Sequence, residues 1–433
     1  MFRKNWALPR LASFHETDPP DAPASTALPS AIMKQINGGI TAPLGFVAAG
    51  VHAGLKKAAL LDLALVVSDR EGPVAGVFTK NRCAAAPVLL DRLHLRRGRG
   101  RAIIVNSGNA NACTGARGLA NAKEMAALVA KRLGCPTPSV FVGSTGIIGQ
   151  ALPMVTIRRH IPILMNRLTR SGGRQAARAI LTTDTKVKEV AVTARIAGRS
   201  VTVGGMAKGS GMIHPDMATM LAYLTTDAAI AQSSLQRSLV RAVNGSFNCI
   251  SVDGDTSTND TVLCLANGMA GNPVLEAGTA ACARFQELLD YACFSLAMQI
   301  CRDGEGATKV VKITVARART TEEARTVART VATSPLVKTA LFGEDANWGR
   351  IMAAIGRSGV PVDPEKISLA FDDVPIVVGG VTRGPSAERR IGRVVRRKEF
   401  AITVTLGQGT ATAHLWTNDL SYDYVTINAS YRS

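Results

Sequence analysis

Two short apolar runs constrain the fold most. Ala102-Ile103-Ile104-Val105 stops at Asn106-Ser107-Gly108-Asn109, and Val140-Phe141-Val142 stops at Gly143-Ser144-Thr145-Gly146. Each run is too short for a helix and breaks into turn-forming residues, which predicts two buried strands ending in turns. Between them Met125, Leu128, Val129 and Leu133 recur at helical spacing, as do Leu235, Leu239, Ala242 and Val243 farther on. Near the end Phe400, Ile402, Val404 and Leu406 alternate like a half-buried strand. Gly407-Gln408-Gly409 follows, which predicts that Thr410 to Trp416 return as a hairpin. The Arg/Thr/Ala-rich stretch 316–331 reads as a basic helix, and 204–216 and 253–260 as turn-rich loops. Strands and helices are interspersed, so the class is α/β. Periodicity alone does not fix the topology.

The 433 residues suggest two to four structural units, at roughly 100–200 residues each. Hydrophobic residues at 46% and charged residues at 19% exclude a disordered chain. The net charge of +19 raises binding to a polyanion. The densest basic groups are Arg96, Arg97, Arg99 and Arg101, then Arg389, Arg390, Arg393, Arg396, Arg397 and Lys398. Neither is interleaved with the aromatics on which single-strand binders stack bases, so they read as a solvated surface. Eight cysteines lack CxxC spacing and read as buried thiols. No apolar stretch reaches the ~18 residues of a membrane span.

Residues 1–37 read as a divergent, flexible tail. Residues 1–32 are rich in Pro, Ala and Ser and carry Arg3, Lys4 and Arg10 with no acid before Glu16. They lack the apolar core of a secretion signal and give only weak support to a mitochondrial presequence. Met33 precedes the first well-patterned sequence. The expected location is the cytoplasm, or the mitochondrial matrix if the tail is a presequence.

Familiar catalytic patterns are missing. The Gly-rich loop around Lys208 does not have the order of a phosphate-binding GxxxxGK[ST], and no GxSxG occurs. No two histidines have HExxH spacing, and no metal is expected. His214 before Pro215 reads as a turn residue. Met206, Met212, Met217 and Met220 read as core packing rather than a soft-metal box. Asp253, Asp255 and Asp260 do not follow a calcium-loop pattern and read as structural supports. One nucleophile needs no histidine: a threonine at a chain N-terminus, whose own α-amine serves as base. That amine has an ordinary pKa of about 7.7–8.0, so a useful fraction is neutral at physiological pH.

The segment Lys208-Gly-Ser-Gly-Met-Ile-His-Pro-Asp-Met-Ala-Thr219-Met-Leu221 resembles the self-cleavage segment of the ornithine acetyltransferase family, also called glutamate N-acetyltransferase or arginine-biosynthesis bifunctional protein. Similar blocks precede it in order: Thr41 to Phe46, Asn106 to Asn111, Ser144 to Gly149 and Thr182 to Thr185. Others follow: Val252 to Asp260, Asp303 to Lys309, Asn347 to Arg350 and Asp423 to Tyr431. The resemblance runs from about Gly38 onward. Asp216 stands where the family more often has Asn.

The resemblance implies a four-layer αββα sandwich with a smaller C-terminal α/β lobe. It implies a self-made break between Ala218 and Thr219, leaving residues 38–218 in an α chain behind the tail and 219–433 in a β chain. Thr219 would then be the nucleophile, taking acetyl from N2-acetylornithine and passing it to glutamate. Thr145, by its hydroxyl, and Gly146, by its N–H, match the oxyanion hole; such a donor is typically worth about 2.7–4 kcal/mol. Thr182, Lys208, Thr219, Glu305, Asn428 and Ser433 match substrate-binding positions. Lys208 suits the substrate α-carboxylate, and Glu305 the ornithine ammonium. The resemblance implies no cofactor, leaves acetyl-CoA open as a second acetyl donor, and implies an α2β2 assembly without nucleic acid or membrane.

Taken singly, these residues have plainer readings. Thr219 would be an ordinary helix or strand threonine, Glu305 a solvated turn carboxylate, and Thr145-Gly146 the turn ending a strand. Two other functions stay open. A related Thr- or Ser-nucleophile amidohydrolase or aminopeptidase would release the acyl group to water without glutamate. An uncleaved basic scaffold or nucleic-acid-binding paralogue would rest on the charge alone and bind DNA in a strongly salt-dependent way.

Overall fold

The computed structural model describes residues 33–56, 59–214 and 220–430. Residues 1–32 of the expected 1–37 tail, the Ala218–Thr219 bond, Met217 and Ser433 lie outside the described residues, whereas Met33–Gln35, also expected in the flexible tail, form a strand paired with Val192–Ala194. In chain order the elements are β1 (Met33–Gln35), β2 (Phe46–Val51), β3 (Leu63–Phe78), α1 (Ala86–Leu95), β4 (Arg99–Asn109), α2 (Gly115–Leu133), β5 (Val140–Ile147), α3 (Met154–Asn166), α4 (Gly173–Ala179), β6 (Lys188–Ile196), β7 (Arg199–Lys208) and β8 (Leu221–Thr226). Then come α5 (Gln232–Asn244), β9 (Ile250–Ser251), β10 (Thr261–Ala266), α6 (Ala280–Arg302), β11 (Val310–Ala318), α7 (Thr321–Ala332), α8 (Pro335–Phe342) and α9 (Trp348–Gly356). The chain continues with β12 (Ser368–Phe371), β13 (Val374–Val378), β14 (Val381–Thr382), α10 (Pro385–Val394), β15 (Glu399–Thr405), β16 (Ala411–Asn418) and α11 (Tyr422–Ser430).

Strand β3 belongs to two sheets. Its first half, from Leu63, pairs with β2 and β4, and β5 lies parallel beyond β4. Its second half, Val74–Phe78, pairs with β10, and the order runs on through β8, β7 and β6 to β1. Alternate side chains then divide between two cores, as the two-residue repeat of a strand requires. On β4, Ile103 and Val105 face a core between the sheets, while Ala102 and Ile104 face helices α2 and α3. On β8, Leu221 and Tyr223 enter the same inter-sheet core, while Ala222 and Leu224 face α5 and α6. On β10, Leu263 and Leu265 point inward; Val262 and Cys264 point to the helices. The layers are therefore helix, sheet, sheet, helix. Phe46, Phe141 and Tyr223 are the bulkiest side chains of the central layer. Complete burial of such a side chain stabilises by about 1.5–3 kcal/mol.

The C-terminal lobe is a separate seven-stranded sheet, β14-β13-β12-β15-β11-β16-β9. Val311, Ile313 and Val315 of β11 pack with Val327 and Val331 of α7, Ile351 and Ile355 of α9 and Ile391 of α10. Strand β9 comes from the sandwich side of the chain and pairs with β16, joining the two parts.

Several local expectations need correction. β15 and β16 do not form a hairpin, because β11 lies between them, parallel to β15 and antiparallel to β16. The Gly407–Gly409 turn instead wraps the end of β11, where Gln408 N–H and Gly409 N–H donate to the Arg317 carbonyl. The stretch 316–331 splits. Its first residues finish β11, and the helix starts only where the Thr320 hydroxyl caps Glu323 N–H. Residues 204–208 are strand, because pairing of β6 with β7 continues to Lys188 opposite Ala207. The clusters at 106–109 and 143–146 are not turns: β4 and β5 stay paired through them. Met206 and Met220 are buried, but Met212 lines a cavity. Four cysteines are buried, whereas Cys83 and Cys113 are exposed. No described helix is long and apolar enough to cross a membrane.

Candidate active site

A cavity with about 580 Å³ of empty space opens where the C-terminal ends of β4, β5 and β7 meet the turn after α6. Thr145, Gly146, Thr182, Lys208, Glu305 and Asn428 all line it. These six sequence-predicted residues come from five separate stretches of chain, Thr145 and Gly146 being neighbours. The remaining two, Thr219 and Ser433, lie outside the described residues.

The paired ends of β4 and β5 build one wall. Gly108 lies opposite Gly146. Gly146 has φ +128°, and a Cβ on it would stand 2.6 Å from Asn109 N, so only glycine fits. Ser144 Oγ donates to Asn106 Oδ1 at 2.7 Å. Asn259 Nδ2 donates to the carbonyls of Ser144 at 2.8 Å and Ala110 at 2.6 Å. Asn259 thus ties together the strand ends beside Thr145 and Gly146, and it lines the cavity itself.

The turn before β6 and the end of β7 build the opposite wall. Asp184 accepts the N–H of Thr182 at 3.0 Å and of Gly209 at 2.7 Å, fixing the backbone beside both Thr182 and Lys208. Thr183 and Ser210 share a hydroxyl hydrogen bond of 2.7 Å. Lys208 is only 4% exposed. Burial lowers its pKa, and the Asp184 carboxylate opposes that. Burial alone would raise Asp184, but Lys208, Lys188 and the Gly209 N–H together hold it near 2.

Glu305 enters from the turn after α6, its N–H donating to the Ser210 carbonyl at 2.8 Å. Its Oε2 accepts from Asn428 Nδ2 at 3.0 Å, which brings α11 over the cavity. Ser421 Oγ, just before α11, donates to the Gly306 carbonyl at 2.6 Å.

The three aspartates read as supports include two that hold the loop leading to Thr219. Asp253 accepts from Met212 N–H and Ile213 N–H at 2.6 and 2.9 Å. Asp260 accepts from Met220 N–H at 3.0 Å, one residue after Thr219. Asp260 is fully buried, and burial raises its carboxyl well above the ordinary range. His214 Nδ1 meets Ser251 Oγ at 3.1 Å, a structural contact as expected.

Sequence reasoning left out Thr183, Met212, Ser257 and Asn259 as cavity residues. Ser257 and Asn259 lie in the Asp253–Asp260 block, whose small polar residues were the available signal. Together the cavity presents an ammonium, a carboxylate and a hydroxyl beside a backbone N–H. That set can hold a zwitterionic amino acid derivative and a developing oxyanion.

A sequence model of the ArgJ family matches residues 47–433. The chain is 52% identical over 389 residues to the arginine biosynthesis bifunctional protein ArgJ of Geobacter sulfurreducens, covering 90% of this chain and 99% of that one. It is 48% identical over 405 residues to the protein of the same name from Symbiobacterium thermophilum, covering 93% and 100%. Among solved structures, ornithine acetyltransferase from Mycobacterium tuberculosis, complexed with ornithine, has 43% identity. That match covers 42% of this chain and 98% of the other, with a TM-score of 0.40.

Proposed function

The chain belongs to the ArgJ family, and from that premise we propose that it is a self-processing acetyltransferase of arginine biosynthesis. It moves acetyl from N2-acetylornithine to glutamate through acetyl-Thr219. The observation that supports this reading is the single cavity shared by Thr145, Gly146, Thr182, Lys208, Glu305 and Asn428.

In this proposal the peptide bond before Thr219 is cut, freeing its α-amine. The amine takes the hydroxyl proton as Oγ attacks the acetyl carbonyl. Thr145 O–H and Gly146 N–H donate to the tetrahedral oxyanion. Collapse expels ornithine, whose amine recovers the proton. The amine of glutamate then attacks acetyl-Thr219, and a second oxyanion in the same hole releases N-acetylglutamate and free Thr219. Lys208 holds the α-carboxylate common to both amino acids. Glu305, steadied by Asn428, faces the ornithine ammonium. Acetyl-CoA is proposed as a second acetyl source for the same hydroxyl. The two chains stay together as α2β2 in the cytoplasm.

The test begins with intact mass under denaturing conditions, beside Thr219→Ala. Two species in the wild type, one starting at Thr219, and one in the variant are expected. Acetylornithine with labelled glutamate must then yield labelled N-acetylglutamate. A single full-length wild-type species would overturn self-processing. Acetate released at the same rate without glutamate would turn the reading toward a hydrolase.

A further inference from the structure

Four buried charged groups run from the interior to the cavity with alternating sign. Asp303 caps the end of α6, Lys188 begins β6, Asp184 precedes β6, and Lys208 ends β7. Lys188 Nζ lies 2.6 Å from Asp303 Oδ2 and 2.7 Å from Asp184 Oδ1. The side chains of Asp184, Lys188 and Asp303 are 0%, 1% and 3% exposed. Asp303 is further tied by Thr185, through its N–H at 3.0 Å and its hydroxyl, and by Lys186 N–H at 3.1 Å. One ammonium between two carboxylates leaves one negative charge over. It sits where Asp184 Oδ1 also accepts from Gly209 N–H, the residue after Lys208.

Lys208 is different from Lys188. Among the described residues its ammonium makes no hydrogen bond, and it lines the cavity. A buried ammonium left without acceptors is costly unless a ligand supplies them.

We infer that Asp184 is a positioning residue for donor binding: it fixes the backbone beside Lys208 and supplies the counter-charge that keeps the Lys208 ammonium available to a substrate carboxylate. The inference rests on the acetyl-transfer reading, in which Lys208 meets the α-carboxylate. The Asp184–Lys188–Asp303 set serves as a fixed anionic base beside the cation, distinct from Glu305, which lines the cavity next to Ser210 and Gly211. The charges acting on Lys208 are Asp184, Glu305 and Asp260, which favour its cationic form, and Lys188 and Lys56, which oppose it. Burial raises the Asp260 carboxyl, and Glu305 is engaged by Asn428; Asp184 is the largest of the favourable charges and so the main support.

The experiment compares wild type, Asp184→Asn and Asp303→Asn by steady-state acetyl transfer with saturating glutamate, from pH 6 to 9.5. An opposite charge in close range shifts a pKa by about one to three units. For D184N the alkaline limb of kcat/KM for acetylornithine is therefore expected to move down by about one unit or more. KM at pH 8.5 rises about tenfold or more, with kcat changed less than about threefold. D303N moves the limb the same way by less, because Lys188 then draws more on Asp184. An equal loss of activity at every pH, with the limb unmoved, would show a merely structural role and overturn the inference. If D184N does not fold, D303N decides by the same limb. A wild type that transfers no acetyl would instead overturn the acetyl-transfer reading itself. Normal wild-type turnover with an unmoved limb in the variants overturns the inference alone.

Discussion

Gly211 faces the carboxylate of Glu305 so closely that a Cβ there would stand 2.7 Å from Oε1 and nearer still to Oε2. The conflict is with the far end of a flexible side chain, not with backbone. Gly211→Ala should therefore leave the melting temperature within about 2–4 °C while turning Glu305 out of place. Misplacement of a binding group by about 1 Å costs on the order of 10²-fold in activity. We expect kcat/KM for acetylornithine to fall by about 10- to 100-fold in a variant that still melts cooperatively. Steady-state kinetics beside a thermal scan checks both halves.

Thr145 and Gly146 contribute to the same proposed oxyanion by different means, a hydroxyl and a backbone N–H. Thr145→Ala removes one donor and leaves the strand pairing to Ser107 intact. Loss of an oxyanion donor typically lowers kcat by about 10²–10³-fold. KM should move little, since the donor acts on charge that exists only in the transition state. Thr145→Ser keeps the hydroxyl and should keep most of the rate. An unchanged kcat in T145A would remove Thr145 from the chemistry.

The buried strands at Ala102–Val105 and Val140–Val142 were legible in the sequence as short apolar runs, and the alternation of Phe400, Ile402 and Val404 marked another, because a strand writes its burial directly into apolar residues. The position of β11 between β15 and β16 was not. Nothing in Phe400–Leu406 or Thr410–Trp416 encodes a partner from 89 to 104 residues earlier, and the intervening glycines suit a wrapping turn as well as a hairpin. At the site, Thr145, Gly146, Thr182, Lys208, Glu305 and Asn428 were named from resemblance to a family, not from spacing. Asn259 and Asp184 escaped notice because their side chains act on backbone groups of other segments. A lone Asn or Asp carries no mark of such a role.

Asp260 gives a pH prediction with a definite sign. Burial raises its carboxyl well above the ordinary 3.8, so the folded protein keeps a proton that the unfolded chain gives up first as pH rises. Its contribution to stability is fully present below about pH 3.8. It declines by about 1.4 kcal/mol per pH unit above that, until the folded group also ionises. Asp260→Asn keeps a carbonyl oxygen for Met220 N–H and has no proton to lose. Its melting temperature should equal or exceed that of wild type near pH 8 and show a flatter pH dependence. Asp260→Ala, which loses the acceptor, should melt lower and slow the Ala218–Thr219 break. Thermal scans from pH 5 to 8.5 and a cleavage time course decide this. A D260N profile parallel to wild type would mean that Asp260 ionises freely in the fold.

The C-terminal helix separates binding from folding. No residue of Tyr422–Ser430 is buried, yet Asn428 reaches Glu305 and Tyr424 Oη lies 3.4 Å from Asp253 Oδ2. Asn428→Ala removes one hydrogen bond to a charged group, worth about 1.5–3 kcal/mol where it is well formed. Being exposed, it should sit at the lower end, raising KM for acetylornithine by roughly tenfold without changing the melting temperature. Deletion of residues 422–433 should raise KM further, and its melting temperature should still stay within about 4 °C of wild type, because none of the described side chains lost, Tyr422–Ser430, is buried. Binding of ornithine by calorimetry, done on both variants, reads the affinity separately from turnover. If the deletion unfolds the protein while N428A binds normally, α11 is a structural brace and the contact with Glu305 has no part in recognition.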